Sequence, residues 1–181
     1  MKPKMILTDL DGTLICSDGS ISEHTKLILK SCQNGGIYIV IATARYWIGA
    51  ERYIEEIQPD YEITTDGTLI HRHGEQIYSC NFEIEDTNQI IQDILARDDK
   101  TEITVAAGRQ VFWNSKHISE SEKLHKAVYY DYQKPLSCQA NKIVAELPDY
   151  ETALEIANKK SLPITELSWR KLVCFFTGNS W

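Results

Sequence analysis

Two aspartates near the amino terminus carry the clearest chemistry in the chain. The run Met5-Ile-Leu-Thr-Asp-Leu-Asp-Gly-Thr-Leu14 sets four mostly apolar residues before Asp9, places Asp11 two positions later and then turns at Gly12 and Thr13. An apolar run this short predicts a strand buried on both faces, as in a parallel sheet. Asp9 then falls at the carboxyl end of that strand, where open α/β sheets bind their ligands. A continuing strand would put Asp9 and Asp11 on one face; a turn at Gly12 lets both converge on one point. Carboxylates this close repel each other, and a divalent cation relieves the repulsion. Hard oxygen ligands with few protein donors suit Mg²⁺. One carboxylate can then attack phosphorus to give an aspartyl-phosphate, while the other protonates the leaving oxygen and later takes a proton from water. An Asp-Gly turn after a strand is common. The whole string Asp-x-Asp-Gly-Thr-Leu after an apolar strand is far more specific.

The elements that must position these residues follow in order. Ser22 is the expected N-cap of a helix whose inner face carries Thr25, Ile28, Leu29 and Cys32, and Gly35-Gly36 stops it. Residues 37–42 form a second buried strand, completing a right-handed parallel unit. Thr43 stands at the end of that strand, level with Asp9, and its hydroxyl suits either a phosphate oxygen or a helix N-cap. Arg45 suits a phosphate or a surface carboxylate equally well. Trp47, Ala50, Ile54 and Ile57 mark the next amphipathic helix, and a third strand over 61–65 runs into Asp66-Gly67.

The nucleophile string, with Ile21-Ser22, Gly35-Gly36-Ile37 and Ile41-Ala-Thr-Ala-Arg45, resembles the haloacid dehalogenase (HAD) superfamily and within it the Cof-type phosphatase branch. The resemblance implies an α/β fold: a Rossmann-like parallel-sheet core with an inserted α+β cap domain. It divides the chain into the N-terminal portion of the core at 1–74, the cap at 75–177 and a tail at 178–181. It implies Asp9 as nucleophile and Asp11 as acid and base, both holding Mg²⁺, with phosphate contacts from Gly12, Thr43, Ala44 and Arg45. The implied substrate is a small phosphorylated metabolite. Asp11 favours phosphatases and mutases over dehalogenases and transport ATPases, which carry other residues there. Ala44 stands where the family usually has Gly. The later string Asp66-Gly67-Thr68-Leu69 repeats the letters of the motif, but Thr64 takes the nucleophile's place, so it is expected to be a turn only.

The pattern changes at about Glu75, where the cap is expected to begin. A strand over 75–80, a helix capped by Asp86 and a hairpin turning at Gly108 come first; a strand over 142–147, a helix through Lys160 and strands over 164–169 and 172–177 follow. Arg109, Trp113, His117 and Arg170 are the candidates for substrate choice. Relatives return to the core with a Lys and a Gly-Asp-x-x-Asn-Asp-like motif that completes the metal shell. Only Gly178-Asn-Ser-Trp181 follows the last strand here, so the expected core is incomplete. Four readings stay open: a phosphatase, a weakly active or inactive fragment that serves at most as a binding module, one half of a two-chain assembly, and a phosphomutase. An incomplete core also leaves the first strand an apolar edge with poorly covered faces, which invites a homo-oligomer.

Composition narrows the partners. A net charge of -7 argues against nucleic acid, since counterion release at phosphates needs basic residues. Met1-Lys-Pro-Lys4 before a brief apolar run is too short for a signal peptide or a membrane span. Five cysteines without close pairing are expected to be reduced, which fits the cytoplasm. No P-loop and no G-x-G-x-x-G is present.

Overall fold

The apolar runs form strands, and two sheets result. The computed structural model describes residues 3–115, 127–147, 150–160, 162, 164–167 and 172–175. The chain divides into two compact units, Met1–Ser79 and Cys80–Trp181.

In the first unit β1 (Met5–Thr8), β2 (Tyr38–Ala42) and β3 (Tyr61–Thr64) run parallel, joined by α1 (Glu23–Asn34) and α2 (Trp47–Ile57). The Ser22 hydroxyl accepts the Thr25 N–H at 3.1 Å and starts α1. The Gly35 N–H donates to the Ser31 carbonyl at 3.0 Å, and Gly36 turns out of the helix at φ +78°. Leu10, Ile21, Leu29, Ile39, Ile41, Ala50, Tyr53 and Ile57 make the core of this unit. Ile28, expected to face inward, is 51% exposed. Thr25, Leu29 and Cys32 already fill the stripe that the sheet can cover, and Ile28 lies just outside it.

β1 departs from burial on both faces. Among the described residues it pairs with β2 alone, and Met5 and Leu7 are 49% and 60% exposed while Ile6 turns toward the core. β2 lies between two strands, and Ile39, Val40 and Ile41 are all buried.

Two further strands extend this sheet. β4 (Leu69–Arg72), which sequence patterning did not reveal, pairs antiparallel with β3. β5 (Glu75–Ser79) pairs antiparallel with β4 through the two-residue turn His73-Gly74, both at positive φ. The strand that follows the change in pattern at Glu75 thus belongs to the first sheet, and the units part between Ser79 and Cys80.

The second unit packs α3 (Ile84–Leu95) and α4 (Tyr150–Lys160) with a sheet in the order β10-β11-β9-β6-β7-β8. Its strands are β6 (Ile103–Ala107), β7 (Gln110–Trp113), β8 (Val128–Tyr129), β9 (Lys142–Glu146), β10 (Ile164–Leu167) and β11 (Leu172–Phe175). Among the described residues of this second sheet, only the β7–β8 pair is parallel. α3 starts after Glu83, so Asp86 sits inside its first turn rather than capping it. There its carboxylate still complements the helix dipole. Ile90, Ile91 and Ile94 are buried against Ile103, Ile143, Ile156 and Phe175. All five cysteines are free thiols, with Cys80 and Cys174 buried.

The burial contrast on the first sheet sets a stability test. Ile41→Ala should cost about 2–5 kcal/mol, whereas Ile28→Ala should stay within about 0.5 kcal/mol. Urea denaturation followed by circular dichroism measures both, and equal losses would contradict the assigned packing.

Candidate active site

Parallel register brings the ends of β1, β2 and β3 to one edge of the sheet. Thr8 is level with Ile41, and Ala42 with Ile63. Asp9 and Thr43 therefore emerge side by side at the carboxyl edge, the position where such sheets bind ligands. The Thr43 N–H donates to the Ile63 carbonyl at 2.9 Å, which ties the second loop to the third strand.

The Asp9 loop is held by its own backbone. Oδ1 of Asp9 accepts the Leu10 N–H at 2.7 Å, and the Leu10 side chain is fully buried beneath the turn. The Ile15 N–H donates to the Leu10 carbonyl at 3.0 Å and closes the turn. Gly12 inside it has φ +69°, with no atom within 4 Å of where a Cβ would stand. Backbone conformation and not lack of space selects glycine there. Asp9, Asp11 and Gly12 are all exposed.

Arg45 meets Asp11. Its Nε donates to Oδ2 and its Nη2 to Oδ1, each at 2.7 Å, a two-toothed pair of planar groups. Nη1 donates to the Gly49 carbonyl at 3.2 Å, and the guanidinium carbon lies 5.3 Å from the centre of the Tyr53 ring. The Arg45 backbone is fixed as well: its N–H donates to the Thr43 hydroxyl at 3.2 Å, and its carbonyl accepts the Thr65 N–H at 2.8 Å. Hydrogen bonding from Arg45 holds the Asp11 carboxyl below the ordinary carboxylate value; partial burial opposes this, and the guanidinium's charge adds to the lowering. Arg45 is raised in turn, first by the hydrogen bonds to Asp11 and with a smaller contribution from Asp9.

Of the residues singled out in the sequence, Asp9, Asp11, Gly12, Thr43, Ala44 and Arg45 thus lie on two neighbouring loops. Arg45 faces Asp11, the surface carboxylate among its two options. Thr43 is buried and its hydroxyl accepts the Arg45 N–H ahead of α2; it is not the helix N-cap, since Tyr46 takes that position without a side-chain cap, and Ala44 is exposed. Sequence reasoning missed Gly49, Tyr53 and Thr65. Thr65 and Asp66 both adopt left-handed backbone, at φ +54° and +55°, and the repeated Asp66-Gly67-Thr68 string enters β4 through the expected tight turn. Thr65, just ahead of the string, supplies the amide that fixes the Arg45 carbonyl. Two consecutive threonines before Asp-Gly were the available signal. Arg109 and Trp113 lie at the β6–β7 hairpin of the second unit, and His117 and Arg170 fall outside the described residues.

No group of three or more His, Cys, Asp or Glu side chains among the described residues could enclose a metal ion. The two carboxylates still fit Mg²⁺, which keeps several waters and takes one or two carboxylates beside phosphate oxygens. Asp9 is the better placed of the two, because Arg45 already engages both oxygens of Asp11.

Residues 6–165 match the family model of haloacid dehalogenase-like hydrolases, and the chain belongs to that family. It is 35% identical over 77 residues to an HMP-PP phosphatase of Klebsiella pneumoniae, covering 41% of this chain and 28% of that protein. It is 32% identical over 71 residues to a 5-amino-6-(5-phospho-D-ribitylamino)uracil phosphatase of Bacillus subtilis, covering 39% of this chain and 26% of that protein. The aligned stretches thus take up only about a quarter of these relatives' own lengths. A solved haloacid dehalogenase-like hydrolase from Bacteroides thetaiotaomicron superposes with a TM-score of 0.77 at 17% identity, over 98% of this chain and 72% of that one. At that identity the likeness speaks for the fold.

The Arg45–Asp11 pair predicts an acid response. A carboxyl held low contributes stability above its unfolded pKa, and loses it as pH falls through the folded value. Carbon-13 NMR of the Asp11 carboxyl should therefore show titration at higher pH in Arg45→Gln than in the unaltered protein. Coincident curves would remove Arg45 as the cause.

Proposed function

We propose that the chain acts as a Mg²⁺-dependent phosphohydrolase on a small phosphorylated metabolite, through an aspartyl-phosphate on Asp9. The observation that carries this reading is the emergence of Asp9, Asp11 and Thr43 together at the carboxyl edge of a parallel sheet. Relatives named as phosphatases support it.

In this reading a carboxylate oxygen of Asp9 attacks phosphorus as the bond to the leaving oxygen breaks, and Asp11 gives that oxygen a proton. Water then attacks the aspartyl-phosphate, Asp11 takes the proton, and phosphate departs with Asp9 restored. Arg45 favours the ionised Asp11 that the second step needs. The first step needs the protonated form, so contact with the substrate's own negative charge has to raise Asp11. Asp9, with Asp11 as the further candidate, would hold Mg²⁺, which supplies positive charge where the carboxylate and the phosphoryl oxygens approach. Exposed amides of the Gly12 and Ala44 loops are assigned to phosphate oxygens, beside Thr43. Arg109 and Trp113 are assigned to substrate choice.

The reducing cytoplasm is the proposed setting, consistent with five free thiols. Among the described residues no helix is long and apolar enough to cross a membrane. Self-association through the outer edge of β1 is a second element of the reading, favoured by Met5 and Leu7 exposed on the strand and Tyr38 exposed beside them.

Two measurements check these assignments. Phosphate release from a panel of sugar and nucleotide monophosphates should require Mg²⁺ and fall by ~10²-fold or more in Asp9→Asn. Full activity in that variant would sink the mechanism. Light scattering after gel filtration should show an oligomer that Leu7→Lys converts to monomer; an unchanged mass would dismiss the β1 edge.

A further inference from the structure

A side-chain amide is seldom buried without hydrogen-bond partners. Asn141, immediately ahead of β9, is 1% exposed, and both ends of its amide are engaged. Nδ2 donates to the Cys80 carbonyl at 3.1 Å and to Oδ1 of Asn81 at 2.6 Å, while Oδ1 accepts the Gly108 N–H at 2.6 Å. These contacts join two places far apart in sequence. One is the entry to the second unit, which begins at Cys80; the other is the turn between β6 and β7. We propose that Asn141 is a positioning residue for substrate choice, a clamp that fixes Arg109 through Gly108 and couples it to the segment by which the chain passes from β5 into the second unit. This rests on the phosphohydrolase reading, in which Arg109 is assigned to substrate choice, and adds what holds Arg109 and what can move it.

The form of the turn carries the inference. Ala107 pairs with Gln110, so Gly108 and Arg109 are the central residues of a tight hairpin turn, with Gly108 at φ +58°. Such a turn is closed by the residues that flank it, which leaves the first central N–H without a partner inside the hairpin. Oδ1 of Asn141 takes that N–H and so fixes the peptide plane from which Arg109 departs. The Asn141 backbone N–H donates to the Ala106 carbonyl at 2.7 Å and holds the side chain beside the turn. On its other side, residues 139–141 run next to 80–83. The Phe82 N–H donates to the Ala140 carbonyl at 2.7 Å, Nε2 of Gln139 donates to Oε2 of Glu83 at 3.0 Å, and the Phe82 side chain is buried in the core of the unit.

Chemistry fixes the sense of the amide. Reversed, it would set donor against donor at Gly108 and acceptor against acceptor at Cys80. An apolar side chain of equal size would fill the space without these bonds, so what the amide adds is direction. Displacing Cys80 and Asn81 strips Nδ2 of its acceptors unless Asn141 follows, and Gly108 follows with it. A change in the path of the chain after β5 therefore reaches Arg109 through one buried side chain.

Hydrogen exchange of the full chain, followed by nitrogen-15 NMR, tests the clamp without turnover. Asn81→Ala removes one acceptor on the entry side, yet the Gly108 amide should exchange ~3-fold faster or more. Asn141→Leu should accelerate Gly108 and Phe82 together. An unchanged Gly108 rate in Asn81→Ala would overturn the proposal. Phosphate release from sugar and nucleotide monophosphates then reads the role. Asn141→Leu should raise KM by ~5-fold or more with kcat held within ~2-fold, and should shift KM by less than ~2-fold in an Arg109→Ala background. Equal rises of KM in both backgrounds, or a loss confined to kcat, would also overturn it. Should Asn141→Leu unfold by circular dichroism, Asn81→Ala carries the same cycle. A chain that releases no phosphate but shows the expected exchange loses the hydrolase reading and keeps the coupling of turn and entry, while turnover with a constant Gly108 rate removes only the clamp.

Discussion

Two like charges at the end of one strand define the electrostatic problem around which the first unit is arranged. Asp9 and Asp11 are separated by a single buried leucine and a sharp turn, so chain geometry keeps them close. Like charges repel more strongly the nearer they stand, and the repulsion amounts to about 1–4 kcal/mol at about 4 Å over the range of effective dielectric from water to a protein surface. Arg45 offsets part of it through a planar pair of hydrogen bonds. The pair spans 34 residues of sequence, so it exists only because β1 and β2 are parallel and in register. An antiparallel return would carry Arg45 to the opposite edge. Sheet topology is therefore the condition for charge balance at the site.

Support for Arg45 is drawn from every element near the carboxyl edge. The loop after β2 supplies Thr43, the first turn of α2 supplies Gly49, its second turn supplies Tyr53, and the turn after β3 supplies Thr65. Thr65 reaches its place by adopting left-handed backbone, which a β-branched residue disfavours. That unfavourable conformation stands next to the loop that holds the site's cation. Its cost is borne where the amide is needed to hold the Arg45 carbonyl.

Much of this was legible in the sequence, for identifiable reasons. The short apolar runs, the Ser22 cap, the Gly35-Gly36 stop and the Asp-x-Asp-Gly-Thr string all encode local structure, and each appears at its place. What was not legible depends on neighbours. The apolar pattern of β1 matches that of a strand covered on both sides, and only the pairing order shows that its outer edge has no described partner strand. Ile28 satisfies the helical period but misses the narrow stripe that the sheet covers. β4 is four residues long and mixed in character, with His71 and Leu69 buried but Arg72 exposed, so no period could announce it. At the site, residue types named the participants, while their partners could not be read. Arg45 is equally suited to phosphate and carboxylate, and only folding decides that it meets Asp11.

The strand that carries Asp9 is, among the described residues, an edge strand of its sheet. β2 and β3 each have two neighbours, whereas β1 among the described residues hydrogen-bonds on one side and leaves Met5 and Leu7 exposed. Opening of an edge strand involves fewer bonds and less buried apolar surface than opening of a central one, so its local stability is lower. A nucleophile, by contrast, works best when its approach is fixed to within fractions of an ångström. These requirements conflict at Asp9. Buried Leu10 and the turn closed by Ile15 resolve the conflict from within, since they anchor the loop to the core independently of the outer edge. Pairing of that edge by another strand would act on the same degree of freedom from outside, hiding Met5 and Leu7 while stiffening the backbone just ahead of Asp9. Association at β1 and precision at the active site are therefore coupled through four residues of strand.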